Sequence, residues 1–124
     1  MSSIVLSAGS RAAEAVLEEL LEAGIEATRD AGAFFPQPAG VLVGLPTLAG
    51  RGQASRTFTV PVLVVSGDPF NATDRVDRIL ALADQAALEL GTDNYRPTSF
   101  RSSVNAEPLP AYELVVTVTV TEEV

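Results

Sequence analysis

The alternation of side chains near the C-terminus constrains the fold most strongly. Within residues 112–120 every second residue is apolar, and the residues between them are polar apart from Val115. The apolar set is Tyr112, Leu114, Val116, Val118 and Val120. A period of two is typical of a β-strand that buries one face. At about 3.4 Å per residue this strand spans roughly 30 Å, the diameter of a small domain. We therefore expect its end to protrude from the domain or to pair with another subunit.

Two segments carry the helical period instead. The first pattern predicts a helix over residues 11–23, with Ser10 as its N-cap and Gly24 as the left-handed residue that ends it. The apolar face of this helix consists of Val16, Leu17, Leu20 and Leu21. Its glutamates Glu14, Glu18 and Glu22 lie four residues apart. We interpret this acidic stripe as a solvated face, with a partner-facing patch as the alternative.

The second helix is predicted between Asn71 as N-cap and Gly91 as terminator. Its apolar face consists of Val76, Ile79, Leu80, Ala83, Ala86, Ala87 and Leu90. Leu82 and Leu88 lie off this face, so we expect them to be exposed or to touch a second layer.

Short apolar runs between the helices predict further strands. A weakly alternating strand is possible within residues 25–35, and residues 41–45 form an apolar run typical of a buried strand. Residues 57–66 alternate clearly, but Pro61 removes a ladder donor and predicts an edge strand or a bulge. After the second helix, we expect a loop at residues 92–97 and a mostly polar strand at residues 98–104.

Residues 49–56 separate two of these strands and contain Arg51, Arg56 and two glycines. We expect a mobile loop here. No acidic residue occurs from residue 31 to residue 67, so the two arginines form a local positive island suited to bidentate pairing with carboxylates across an interface.

The elements follow the order α-β-β-β-α-β-β. The chain has 124 residues, which is typical of one domain. We therefore predict a single α+β domain over residues 1–124, with two helices packed on one face of a mostly antiparallel or mixed β-sheet.

Composition argues against several kinds of chemistry. The chain has no Cys, His or Lys, which excludes Ser-His and Cys-His nucleophile pairs, thiolate and histidine metal sites, and a Walker lysine. Residues 50–55 begin like a dinucleotide loop, but no helix is predicted to follow them. We therefore expect a protein that is not an enzyme and that needs no cofactor or metal.

Net charge and mean hydropathy limit the kinds of molecule that the chain is expected to bind. Eight basic residues stand against sixteen acidic ones, a net charge of −8, which disfavours general nucleic-acid binding and gives no sign of sequence-specific binding. The mean hydropathy is +0.26, so we expect apolar surface to remain after folding and to mark interfaces. No signal peptide or membrane span is predicted, and we expect folding in a cytoplasm.

The order and texture of these segments resemble the tail terminator, or tail completion, proteins of long-tailed bacteriophages and gene-transfer particles. The resemblance covers most of the chain. It lies in the amphipathic N-terminal helix, the Pro-flanked strand PAGVLVGLPT at residues 38–47, the Arg/Gly loop, the Val-rich strand at residues 57–65, the Ala-rich second helix and the terminal YELVVTVTV. The strongly acidic balance of this chain, with two arginines in its loop, departs from the family's pattern.

The resemblance implies a structural virion protein, assembled in the host cytoplasm and located at the head–tail junction. Six copies would form a ring that ends growth of the tail tube and joins the head connector. Its partners would be further copies of the chain, the major tail tube protein and the head–tail connector or stopper protein. The expected interface residues are Arg51, Arg56, Leu82, Leu88, Thr117, Thr119 and Thr121.

Two other functions fit the same sequence. A head–tail adaptor or stopper protein of the same particle has a similar size and also forms rings. A small ferredoxin-like regulatory domain would share the α+β pattern, but it would need a preformed ligand pocket with convergent polar groups.

Overall fold

The computed structural model describes residues 3–30, 34, 39–52, 54–66, 73–101 and 109–121. Within them lie two helices and six strands. The elements in chain order are α1 (Ser3–Glu22), β1 (Ala27–Thr28), β2 (Ala39–Val43), β3 (Thr47–Arg51), β4 (Ser55–Ser66), α2 (Thr73–Leu90), β5 (Tyr95–Phe100) and β6 (Leu109–Thr121). No described helix is long and apolar enough to cross a bilayer.

The six strands form one sheet with the order β1-β2-β4-β6-β5, and β3 lies beside β4 on the same side as β2. All neighbouring strands are antiparallel except β1 and β2. The predicted α+β class with a mixed, mostly antiparallel sheet is therefore confirmed, and the described chain contains one strand more than the predicted order.

Both helices pack on one face of the sheet, as predicted. The even-numbered residues of β4 and β6 point toward them because side chains alternate along a strand. Together they form the main core, in which Val60, Val62, Val64 and Leu114 are fully buried.

A second, smaller core lies on the opposite face at one end of the sheet. Val65 is paired with Ala111 and buried beside Leu109. Phe34 and Phe100 pack against this cluster, with their rings in an edge-to-face arrangement 5.4 Å apart. This end of the sheet is therefore covered on both faces.

Helix α1 begins earlier than the sequence indicates. It starts at Ser3 instead of residue 11, so Ser10 lies inside the helix and is not its N-cap. Tertiary packing accounts for the extension: Ala8 is fully buried, and Gly9 lies beside Pro46 and Phe58, so this part of the helix packs on the sheet.

The helix C-termini agree with the sequence. Gly24 and Gly91 have φ values of +82° and +67°. At each end two backbone bonds close a Schellman motif. Ile25 N–H donates to Leu20 O at 2.9 Å, and Thr92 N–H donates to Ala87 O at 3.0 Å. The predicted cap Asn71 lies outside the described residues.

The predicted mobile loop at residues 49–56 is wrong. Its first part belongs to β3 and its last part to β4, and the two strands pair from Thr47↔Thr59 to Arg51↔Arg56, with a bulge at Ala49. Gly52 N–H donates to Ser55 O at 2.9 Å and closes the hairpin. The small residues looked like a loop because only the neighbouring strand reveals their pairing.

Pro61 lies in a central strand, so the predicted edge position is wrong. Its carbonyl accepts from Gly44 N–H at 2.7 Å, and the N and C=O of one residue face the same neighbour in a strand. The missing N–H therefore faces the break between β2, which ends at Val43, and β3, which begins at Thr47. No ladder donor is needed at this break.

The last two strands also differ from prediction. Strand β5 begins at Tyr95, inside the predicted loop, and ends at Phe100, whereas residues 102–104 lie outside the described residues. Strand β6 pairs with β4 as far as Ser55↔Thr121. Its end therefore does not protrude from the sheet, because β4 extends beside it to its last residue.

Candidate functional site

The site is built at the end of the sheet where only three strands run side by side. We call this region the three-stranded end: β3, residues 55–59 of β4 and residues 117–121 of β6. It contains the predicted residues Arg51, Arg56, Thr117, Thr119 and Thr121 but does not place them all on one face: Arg56 shares the helix side with Val120, whereas the three threonines lie on the opposite side. Arg56 is paired with Arg51 on one side and with Val120 on the other.

One face of the three-stranded end is covered with threonines. We call it the threonine face, and it consists of Thr47, Thr57, Thr59, Thr117, Thr119 and Thr121. It points away from the helices, because the buried neighbours Phe58 and Val120 occupy the other face together with the partly buried Val118. The hydroxyls of Thr57 and Thr119 are 3.1 Å apart and share a hydrogen bond. The three predicted threonines of β6 are all exposed.

The outer edge of β6 is open in the three-stranded end. Strand β5 pairs with β6 only as far as Tyr95↔Leu114. Val115 is the last residue held on that side: its N–H donates to Asn94 O at 3.0 Å and its carbonyl accepts from Thr92 Oγ1 at 2.9 Å. Among the described residues, no strand lies beside β6 beyond this point.

A groove runs along this open edge, between β6 and the helices. We call it the edge groove; its volume is about 440 Å³. The groove is lined by Ala15, Val16, Glu18, Glu19, Glu22, Leu90, Val116, Thr117, Val118 and Thr119. Its three glutamates are exposed, so an occupant of the groove meets a negatively charged wall beside the partly buried side chains of Leu90 and Val118.

The acidic stripe of α1 is therefore divided between two surroundings. Glu14 accepts a hydrogen bond from Arg29 at 2.7 Å, which ties α1 to the segment after β1. Glu18 and Glu22 line the edge groove together with Glu19. Sequence reasoning placed the stripe in solvent and overlooked Glu19, although two adjacent glutamates near a helix end are a readable signal.

The opposite edge of the three-stranded end exposes apolar side chains. Leu45 is 85% exposed and Leu48 is 46% exposed, although both belong to a Pro-flanked apolar run. Leu48 is paired with Phe58 and therefore lies on the helix side of the sheet. The sequence signal for these residues is the length of the apolar run at residues 41–48, which exceeds one short strand.

The two predicted leucines of α2 lie away from this region. Leu88 is 81% exposed, whereas Leu82 is half-buried and packs against the main core. Leu88 is therefore available to a partner, whereas Leu82 contributes to the core.

Within the described part of the chain, no group of three or more metal-ligating side chains is placed to hold an ion. Tyr95 donates a hydrogen bond to Asp84 Oδ1 at 2.5 Å, and this bond to the carboxylate raises the pKa of Tyr95. Tyr95 lies on the surface, where this contact joins β5 to α2.

Models of protein families do not match the chain, and no curated protein sequence matches it.

Proposed function

We propose that this protein is a structural subunit of a bacteriophage tail, in which six copies form a ring on the end of the tail tube. The ring stops tube polymerisation and provides the joint to the head connector at the head–tail junction. The observation that carries the proposal is the pair of unlike surfaces on the three-stranded end, an open acidic edge on one side and exposed leucines on the other.

Unlike surfaces on opposite sides of one subunit favour head-to-tail assembly. A heterologous contact repeats from copy to copy and leaves no unsatisfied surface when the rotation closes a ring. Leu45 and Leu48 provide apolar area on one side, and the edge groove provides a receiving surface on the other. A chain of net charge −8 also needs localised positive charge to bring its copies together.

The resemblance to tail terminator proteins supports the position of the ring. The amphipathic first helix, the Pro-flanked strand, the Val-rich central strand and the terminal strand are the segments that carry it. In the structure the three strands belong to one sheet, and the first helix packs on it. The partners under this proposal are further copies of the chain, the major tail tube protein and the connector or stopper protein, with no cofactor.

The hairpin of β3 and β4 is assigned to the contact with the tube or with a neighbouring subunit. Its two strands place Arg51 and Arg56 opposite each other. Under this proposal, carboxylates of a neighbouring subunit or of the tube pair with these arginines, because guanidinium groups bind carboxylates in bidentate geometry.

The test is a charge reversal with a matched control. The variant Arg51→Glu/Arg56→Glu is expected to fold but to cap tails poorly, so that particles carry over-long or headless tails in electron micrographs. The control Arg11→Glu/Arg101→Glu changes the net charge equally at two exposed positions away from the hairpin, and it is expected to give normal tails.

Three outcomes would contradict parts of this proposal. Infectious particles at wild-type yield from the hairpin variant would remove the hairpin from the mechanism. A single copy of the protein at the junction would exclude the ring. A ring located by labelling on the head side of the connector would assign the protein to the adaptor or stopper position instead.

A further inference from the structure

The open edge of β6 has the geometry of a strand acceptor. The N–H and C=O of Val115 point away from β4, toward Asn94 and Thr92. Because these groups alternate in direction along a strand, those of Thr117, Thr119 and Thr121 point to the same open side. An unpaired row of this kind is a template for another strand.

The composition of this edge does not protect it. Exposed edges are usually blunted by Lys, Pro or a bulge, whereas residues 116–121 of β6 are all Val or Thr and pair regularly with β4. The other edge strand near this site, β5, contains Pro97. The unprotected edge therefore points to a partner strand in the assembled state.

The surroundings of the edge select the charge of that partner. Glu18, Glu19 and Glu22 line the edge groove and place three negative charges beside the strand. A second copy of β6, related by a two-fold axis, would bring two such groups of glutamates together, and like charges oppose that arrangement. A segment with positive charge and an apolar side chain fits the groove better.

The opposite edge of the same sheet has these properties. The segment 39–66 contains two arginines and no acidic residue. Its strand β3 carries the exposed Leu48 on the helix side of the sheet. The edge groove also lies on the helix side of β6, between Leu90 and Val118. A neighbour's β3 placed beside β6 would bring Leu48 to the mouth of this groove.

Strand direction fixes the kind of joint. Strands β3 and β6 both run antiparallel to β4, so they run parallel to each other. A ring in which sheets meet edge to edge keeps the strand direction from one copy to the next. The joint therefore pairs β6 with the neighbour's β3 in parallel, whereas a two-fold β6–β6 joint would be antiparallel.

We propose that the copies of this protein assemble by strand addition: β3 of one copy extends the sheet of the next along the open edge of β6, and Leu48 enters the edge groove. This inference rests on the self-assembly in the proposed function and assigns its contact. The bulge at Ala49 interrupts the edge of β3, so the joint depends on Leu48 and on the flanking charges as well as on backbone hydrogen bonds.

Disulfide trapping tests the joint, because the natural chain has no cysteine. Thr47→Cys is combined in turn with Thr117→Cys, Thr119→Cys or Thr121→Cys, all exposed positions of the threonine face. Neighbouring strands lie about 4.8 Å apart, within the range of about 4.4–6.8 Å that a disulfide bridges between Cα atoms. We expect one of the three double variants to give a ladder of covalent oligomers under mild oxidation.

Matched controls separate the possible joints. Thr47→Cys/Thr98→Cys uses an exposed threonine of β5 on the same face but at the other end of the sheet, and it is expected to give no ladder. The single variants are also expected to stay unlinked. A dimer formed by Thr119→Cys alone would replace the proposed joint with a two-fold β6–β6 pair.

The rate of ladder formation in charge variants provides a second test of the joint. Adding Glu19→Lys is expected to slow ladder formation about fivefold, the effect of one partly desolvated charge contact. Adding Glu26→Lys, an equal change at an exposed position outside the groove, is expected to leave the rate unchanged. Equal rates for both variants would contradict the role given to the groove.

Failure of this inference can be distinguished from failure of the proposed function. If none of the three double variants forms a ladder although wild-type rings are seen on tubes, the ring stands and this joint is wrong. If a ladder forms but the wild-type protein never occurs at tail ends, the joint stands and the tail function is wrong.

Discussion

The two ends of the β-sheet differ in how completely they are covered. At one end β1, β2, β4, β6 and β5 lie side by side, the helices cover one face, and the small core around Val65 and Leu109 covers the other. At the three-stranded end the helix side is buried at Phe58 and Val120 but not at Leu48, and the threonine face and the outer edge of β6 are open. The same two long strands, β4 and β6, run through both ends.

Because of this difference, one strand contributes residues to the folded core at one end and exposed residues at the other. Leu114 and Thr119 lie on the same strand, yet one is fully buried and the other exposed. The covered end can be formed by one copy of the chain. Among the described residues, the three-stranded end leaves the outer edge of β6 without a neighbouring strand and the side chain of Leu48 partly exposed, and under the proposed function a second copy covers both.

Truncation of the covered core is expected to have the largest effect. Leu114→Ala removes a side chain with 0% exposure and should lower the free energy of unfolding by about 2–5 kcal/mol, through lost burial and the cavity that remains. The same change at Leu88, which is 81% exposed, should stay within about 0.5 kcal/mol. Urea unfolding of both variants measures this contrast, and equal losses would contradict the assigned core.

The second largest loss of stability is expected from a substitution at Gly44, where the two ends of the sheet meet. A Cβ on Gly44 would lie 2.8 Å from Pro61 Cγ and 3.2 Å from its carbonyl oxygen. Gly44→Ala should therefore cost about 1–3 kcal/mol of overpacking, measured by the same unfolding transition. Gly50→Ala is the control, since no atom lies within 4 Å of its new Cβ. Similar losses of stability in both variants would show that the close approach of Gly44 to Pro61 is not the cause of the loss.

Hydrogen exchange should mark the boundary between the ends along β6. In the unassembled protein, the amides of Thr117 and Thr119 face the open edge, whereas those of Val116 and Val118 face β4. We expect the threonine amides to exchange at least about tenfold faster, as solvent-exposed donors do. Residue-resolved NMR exchange measures the alternation, and uniform protection from Val116 to Thr119 would indicate that the edge is already covered.

The smallest effect is expected from Tyr95 at the covered end. Its hydrogen bond to the Asp84 carboxylate raises its pKa above the usual 10.0. Because the folded state holds the proton more tightly, the bond stabilises the fold below pH 10.0 and is lost as the pH rises through the elevated pKa. In Tyr95→Phe this loss should be absent, so the variant's urea midpoint should fall less with alkaline pH. Parallel curves would show that the bond does not contribute.

Much of the fold follows from the sequence alone. The alternation at residues 112–120 determined most of the longest strand and its buried face, and helical periodicity with Gly24 and Gly91 determined the C-terminal ends of both helices. These signals are local, because a side-chain period and a left-handed glycine depend only on neighbours along the chain. The α+β class followed from their order.

Only the tertiary structure decided where the small and polar segments belong. The end of β3 and the start of β5 looked like loops, since Ala49, Gly50 and Pro97 are residue types that strands disfavour, and they become parts of strands by pairing with β4 and β6. The early start of α1 likewise depends on tertiary packing, since Ala8 is fully buried in the main core.

The candidate site also contains residues that the sequence could identify and residues that only the structure could identify. Its threonines and arginines could be selected from the sequence because they interrupt apolar patterns. The edge groove could not, because Glu19 and Leu90 are far from β6 in the chain and meet it only through the packing of two helices on one sheet face. Contacts between distant segments depend on how the whole sheet is ordered, and no local pattern of side chains records that order.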